Sequence, residues 1–341
     1  MKTASDFYDA TPDEQVRRLA ALAAVALPQW GLEGAAVTQV AYRENMTFRV
    51  DAGDRGVFAL RIHQANYRTD AQIQSELDLM TYLDGEGVRT PSVVPTQSGA
   101  LFTTVSADGV DEPRQCDIFR WIDGKPLRMT GQPIGEIAPL AEAYAEVGRL
   151  GARIYNATEK WQRPAGFDRP AWDAEGIFGV NGNLGDFRQL EAATDAQMRL
   201  MLNVSDRLTD RLADFGQSPD RYGLAHGDFL AENIFVCDDG IRLLDFDDSG
   251  DSWYLLDIAT ALFDLQGTPA YDPCLAAIVS GYREHRDLPD DHLSMLPAFF
   301  LARLLSYISW CTNKAHMAQT AVIVPLLLAA LEQQAPALLD A

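Results

Sequence analysis

The 341-residue sequence predicts an α+β fold in two lobes: a small amino-terminal lobe built on an antiparallel sheet with one main helix, and a larger, mostly helical carboxyl-terminal lobe. Three observations lead there. The chain is longer than one typical hydrophobic core supports. Short segments rich in strand formers, separated by turn residues, fill residues 37–62. From residue 123 onward, apolar residues recur instead at helical spacing. The lobes therefore divide as 1–122 and 123–341.

Composition narrows the class. A hydrophobic content of 47% with 23% charged residues is ordinary for a soluble globular protein. The net charge of −21 argues against a nucleic-acid partner, because a phosphate backbone is bound by positive surface; it serves solubility or attracts a cationic substrate such as an amine. Cys116, Cys237, Cys274 and Cys311 are widely spaced and read as buried thiols of a reducing compartment. The amino terminus lacks a secretory pattern. Leu293–Trp310 carries Pro297 and Arg303, and Val322–Leu331 is too short to span, so a cytoplasmic protein without a membrane partner is expected.

Elements follow in chain order. Thr11-Pro12-Asp13-Glu14 is a capping box with Pro at the first helical position, opening an amphipathic helix of about 12–27. Strands are expected at Val37–Tyr42, Met46–Val50 and Val57–Ile62, then a helix from about Thr69 to Leu83 with Ile73, Leu77 and Met80 on its apolar face. Gly85 and Gly87 break it. Further strands lie at Val93–Pro95, Leu101–Val105 and Cys116–Ile122, where Asp123-Gly124-Lys125-Pro126 is a strong breaker. Ile137–Tyr155 reads as a long amphipathic helix. An irregular stretch, Trp161–Phe187, precedes helices over Asp195–Phe215, Asp272–His285 and Leu293–Asn313.

Between these helices lies the chemistry. Leu224-Ala225-His226-Gly227-Asp228-Phe229-Leu230-Ala231-Glu232-Asn233 is followed by Leu243-Leu244-Asp245-Phe246-Asp247-Asp248. Phosphoryl transfer to a hydroxyl needs a carboxylate to orient the hydroxyl and take its proton, and oxygen ligands to hold Mg2+ against nucleotide phosphates. Asp228 fits the base, Asn233 five residues later fits one metal ligand, and Asp245, at the end of an apolar run, fits the other. His226 reads as a buried imidazole bonded to the loop backbone rather than as an acid or base.

At these residues the chain resembles the aminoglycoside phosphotransferase and choline kinase superfamily, whose catalytic loop reads His-Gly-Asp-x-x-x-x-Asn and whose metal motif reads Asp-Phe-Asp. The resemblance continues through Trp253-Tyr254-Leu255-Leu256-Asp257-Ile258-Ala259. Gly227 and Asp247 set it apart from typical protein kinases, which have Arg and Gly at the corresponding places. The resemblance implies a protein-kinase-like fold, ATP and Mg2+ as cofactors, and a small-molecule hydroxyl acceptor such as homoserine, choline or an aminoglycoside-like amine. It further implies a strand-borne cation on the phosphates, here Arg61 in place of the common lysine, held by Glu76 on the next helix. Asn45 and Thr47 would stand in for a glycine-rich phosphate turn, and backbone groups of Arg120, Trp121 and Ile122 at the hinge would meet adenine.

Alternatives stay open at this level. A bacterial stress-response type of protein Ser/Thr kinase is related in fold, and a nucleotide-binding pseudokinase would tolerate Arg61 and the glycine-free turn. Asp247, Asp248 and Asp251 meet a substrate amine or merely solvate a loop; Trp253, Tyr254, Tyr307 and Trp310 line a pocket or belong to the core. Helices after residue 260 supply acceptor-pocket walls or a dimer surface.

Overall fold

The computed structural model describes residues 7–314 and 317–339; Lys2 and the rest of residues 1–6, residues 315–316 and residues 340–341 lie outside the described residues. The chain forms two compact units, 1–124 with 162–168, and 125–161 with 169–341.

The first unit is a five-stranded antiparallel sheet with a helix on it. Helix α1 (Pro12–Ala26) leads into β1 (Ala36–Tyr42), β2 (Met46–Asp51), β3 (Val57–Ile62), α2 (Asp70–Gly85), β4 (Phe102–Val105) and β5 (Arg114–Arg120), with sheet order β1-β2-β3-β5-β4. Strand alternation decides the faces. Met46, Phe48, Val50, Phe58, Leu60, Ile62, Cys116 and Ile118 form one core with Leu19, Leu22, Ala23 and Ala26 of α1. The intervening residues turn to the other face, and there the register sets Thr47 beside Arg61 and Arg61 beside Asp117.

Several expected elements differ in detail. The box at Thr11 is only half made: Thr11 accepts from the Glu14 N–H, while the Glu14 carboxylate turns to Arg17 and Arg18. A full capping box forms instead at Thr69 and Gln72, and α2 runs through Gly85. Val93 makes a single bridge to Phe119 rather than a strand. Strand β5 stops at Arg120, two residues short of the expected end.

The second unit contains β6 (Lys125–Pro126), α3 (Ile137–Lys160), β7 (Ala171–Trp172), α4 (Ala174–Phe178), α5 (Asp195–Phe215), β8 (Tyr222–Ala225), β9 (Ile234–Cys237), β10 (Gly240–Leu243), β11 (Gly250–Trp253), α6 (Tyr254–Leu262), α7 (Tyr271–Arg283), α8 (Asp290–Leu293), α9 (Leu296–Asn313) and α10 (Ala318–Leu339). Its short strands form two ribbons, β10-β9-β6 and β7-β11-β8. These ribbons carry the loops of interest. Helix α9 is buried along most of its length, as a core helix is. Helix α10 extends well beyond the apolar run Val322–Leu331, and its residues Thr320–Leu339, like Asp290–Asn313, are long and apolar enough to cross a membrane by length and composition. Cys116, Cys274 and Cys311 are buried free thiols, whereas Cys237 on β9 is half-buried.

Helices α3 and α7 meet backbone to backbone. A Cβ on Gly148 would overlap the Ile278 carbonyl oxygen, and one on Gly281 would overlap that of Ala145. Neither oxygen belongs to a side chain that can swing away. Gly148→Ala is expected to lower stability by about 1–3 kcal/mol or more, read from the urea midpoint; an unchanged midpoint would show that the helices separate without cost.

Candidate active site

The loop between β8 and β9 is held from below by a buried carboxylate. Asp257, in the first turn of α6, accepts the N–H groups of His226 at 3.0 Å and Gly227 at 3.0 Å, and the Tyr155 hydroxyl of α3 at 2.9 Å. Burial raises the Asp257 carboxyl above its ordinary value, and His226, Tyr155 and the two amides oppose that rise. His226 is the next support. Its Nδ1 accepts from the Asp228 N–H at 3.2 Å, so Nε2 carries the proton and donates to the Leu244 carbonyl at 3.0 Å. The ring lies against Phe229 and Phe246, and burial pushes its pKa down to about 4. It therefore acts as a neutral strut between the two loops.

Asp228 is thus presented with its carboxylate 22% exposed and both oxygens engaged. Arg303 of α9, itself buried, donates from Nη2 to Oδ1 at 2.5 Å and from Nη1 to the Gly227 carbonyl at 3.4 Å. Asn233 donates from Nδ2 to Oδ2 at 2.9 Å and to the Asp228 carbonyl at 3.0 Å. Burial raises the Asp228 carboxyl; Arg303 and Asn233 pull it back. With its nitrogen so committed, Asn233 keeps Oδ1 without a partner among the described residues.

The hairpin β9–β10 explains the spacing to Asp245. Ile234 pairs with Leu243, and the Leu244 N–H donates to the Asn233 carbonyl at 2.8 Å, so Asp245 follows directly beside Asn233. Asp245 has φ of 64°, a left-handed conformation that Asp tolerates better than most residues. The turn after it is clamped from outside. Arg169 donates to the carbonyls of Phe246, Asp247 and Ser249, and Trp172 Nε1 donates to that of Asp248 at 2.7 Å. The same Asp248 carbonyl approaches Gly227, where φ is 83° and a Cβ would overlap it. Gly in the His-Gly-Asp segment is thereby required by the packing of one loop on the other.

In the first unit, Arg61 is enclosed by carboxylates. Its Nη1 donates to Glu76 Oε1 at 2.8 Å, while Nε and Nη2 reach Asp117 at 3.1 and 2.7 Å in a two-pronged pair, and the guanidinium lies over the Phe119 ring. His63 Nε2 also meets Asp117, at 2.8 Å. Burial alone would raise the Asp117 carboxyl, yet Arg61 and His63 hold it at about 2. Asn45, in the turn between β1 and β2, accepts through Oδ1 from the Gln64 N–H at 3.0 Å, while Thr47 lies in β2 rather than in the turn, beside Arg61, with its hydroxyl unengaged among the described residues. The N–H groups of Arg120 and Trp121 are spent on the Ser92 and Val57 carbonyls, and Trp121 Nε1 on Asp123. Ile122 alone of the three keeps a backbone N–H without a backbone partner among the described residues.

The profile of the phosphotransferase enzyme family matches residues 37–292, well over half of the chain; Asp228, Asn233, Asp245, Asp257, Arg61, Glu76 and Asp117 lie within it and Arg303 lies beyond it. The chain belongs to the phosphotransferase enzyme family. It is an enzyme of the small-molecule kinase class with a protein-kinase-like α+β fold. The structure of a microcompartment-associated aminopropanol kinase is similar, with 29% identity and a TM-score of 0.80, covering 92% of this chain and 95% of that one. An amicoumacin kinase of Bacillus subtilis (strain 168) is 24% identical over 292 residues, 82% of this chain and 81% of its own. The structure of an amicoumacin kinase in complex with AMP-PNP and Ca2+ shares the fold at 19% identity and a TM-score of 0.74, covering 95% of this chain and 94% of that one.

The phosphotransferase also contains site residues that its motifs do not reveal. Asp117 lies one strand from Arg61, and the alternation of Cys116 and Ile118 into the core already places it on the Arg61 face. Arg303 is a lone charge in an apolar helix, and a buried guanidinium needs a counter-charge. Arg169 stands in the irregular stretch with no pattern to mark it. Trp253 and Tyr254 are core: Trp253 Nε1 donates to the Gly216 carbonyl and Tyr254 stacks on Tyr155 at 4.1 Å.

The buried imidazole makes stability depend on pH. Unfolded, His226 takes up a proton near its ordinary 6.5; folded, it does so only near 4. The unfolded state therefore binds more protons between these values, and stability falls as pH drops from 6.5 toward 4, by about 3 kcal/mol for this group. His226→Asn is expected to flatten that slope in thermal unfolding followed across this range. An unchanged slope would show that the imidazole is not held neutral.

Proposed function

We propose that the enzyme transfers the γ-phosphate of ATP, with Mg2+, to the hydroxyl of a small amine-bearing molecule such as an amino alcohol. The observation that carries this reading is the ionised pair at Asp228: a carboxylate fixed at both oxygens, partly open, and directly linked to Asn233 beside Asp245. Asp228 orients the acceptor hydroxyl and takes its proton as the bond to phosphorus forms. Asn233 Oδ1 and the Asp245 carboxylate are hard oxygen donors suited to Mg2+, which when bound neutralises phosphate charge.

Arg61 steadies the phosphates, and Glu76 and Asp117 hold it flat; Asn45 at the turn before β2 and Thr47 in β2 stand in for a glycine-rich turn, and Ile122 offers the N–H for adenine. Support for an amine-bearing acceptor comes from the charge of −21 and from the likeness to an aminopropanol kinase and an amicoumacin kinase.

ADP release measured across amino alcohols, homoserine, choline, sugars and aminoglycosides tests the reading. At least one amine-bearing alcohol should stimulate release, and Asp228→Asn should lower turnover by roughly 10²–10⁴-fold while nucleotide still stabilises the protein thermally. Near-normal turnover in that variant would remove Asp228 from its role; phosphate appearing only in protein would favour a protein kinase. Arg61→Lys, which cannot bridge two carboxylates in one plane, is expected to raise the KM for ATP roughly tenfold or more. An unchanged KM would detach Arg61 from the phosphates.

A further inference from the structure

We infer that the Tyr307 hydroxyl, held by Arg303, is a direct contact to the acceptor hydroxyl and completes with Asp228 a two-point cradle for its oxygen; this rests on the function proposed above. Arg303 Nη2 has two hydrogens, and they serve two oxygens: Asp228 Oδ1 at 2.5 Å and Tyr307 Oη at 3.3 Å. Two oxygens on the two hydrogens of one nitrogen at such distances lie about 5 Å apart. That gap admits one further oxygen within hydrogen-bond reach of both.

The donor and acceptor pattern of the gap fits an alcohol. Asp228, ionised, can only accept. Tyr307 accepts from Arg303 and so retains its own O–H as donor, and this proton has no acceptor among the described residues. The phenol is pushed up to about 12 by burial, so it keeps that proton at neutral pH. Its ring is fixed one helical turn from Arg303, with the guanidinium over it at 4.4 Å and Phe263 edge-on at 4.9 Å, yet the residue is only half-buried. An alcohol oxygen placed there gives its proton to Asp228 and accepts from Tyr307 with one lone pair, leaving the other for the γ-phosphorus. The bond from that oxygen to phosphorus forms as the bond from phosphorus to the β–γ bridging oxygen breaks; ADP leaves with the electron pair, and the alcohol proton passes to Asp228.

Removing one hydroxyl isolates the claim. Tyr307→Phe is expected to lower kcat/KM for an amino alcohol by roughly 10–100-fold, with the KM for ATP unchanged. A second readout separates contact from packing: inhibition constants of the matching amine that lacks the hydroxyl. The contact predicts that Tyr307→Phe leaves this constant unchanged. An equal loss for both ligands, or no loss for the alcohol, would overturn the inference while leaving the proposed function standing. An unaltered enzyme that phosphorylates no alcohol would overturn both.

Discussion

The geometry of the loop that carries Asp228 depends on Asp257. A carboxylate with no solvent exposure accepts two consecutive backbone N–H groups and one tyrosine hydroxyl, and so converts a flexible loop into a fixed one. An ionised carboxylate in such a place is costly unless its lone pairs are satisfied, and here each partner also has a second structural role. His226 carries the position on to Leu244, Gly227 lets the Asp248 carbonyl approach, and Tyr155 ties the arrangement to α3. Main-chain bonds between the two loops thereby help to fix Asp228 and Asp245 relative to each other. Preorganisation of this kind is what an electrostatically assisted transfer requires.

The two units use one device at different places. In each, a buried arginine pairs with carboxylate: Arg61 with Glu76 and Asp117, and Arg303 with Asp228. The consequences differ because the carboxylate count differs. Two carboxylates around Arg61 take three of its five N–H donors and fix the plane of its guanidinium. One carboxylate on Arg303 leaves a hydrogen for Tyr307. A planar group with several donors in fixed directions serves both, which a single ammonium would not do in the same geometry.

Much of this was legible from residue order. Strand alternation between residues 37 and 62, the capped helix after Thr69, and the five-residue step from Asp228 to Asn233 are local signals, and local signals survive without coordinates. Asp245 could be placed because a hairpin is also local. What stayed hidden joins distant parts of the chain. Arg303 reaches Asp228 across 75 residues and Arg169 reaches the Ser249 carbonyl across 80, and neither lies in a motif. Arg303 did leave a trace, as a charge in an apolar helix, but that trace says only that a partner exists, not which one. The apolar run Val322–Leu331 understated the reach of α10, because Glu332-Gln333-Gln334 interrupts the apolar pattern before Ala335–Leu339 resumes it.

The most direct test is the product itself, observed by phosphorus-31 NMR after incubation with ATP, Mg2+ and an amino alcohol. The site described here predicts a new phosphomonoester resonance, split by the carbinol protons, growing in step with ADP. Inorganic phosphate as the only new species, or phosphorus bound to nitrogen rather than oxygen, would contradict a centre in which Asp228 presents a hydroxyl to the γ-phosphate.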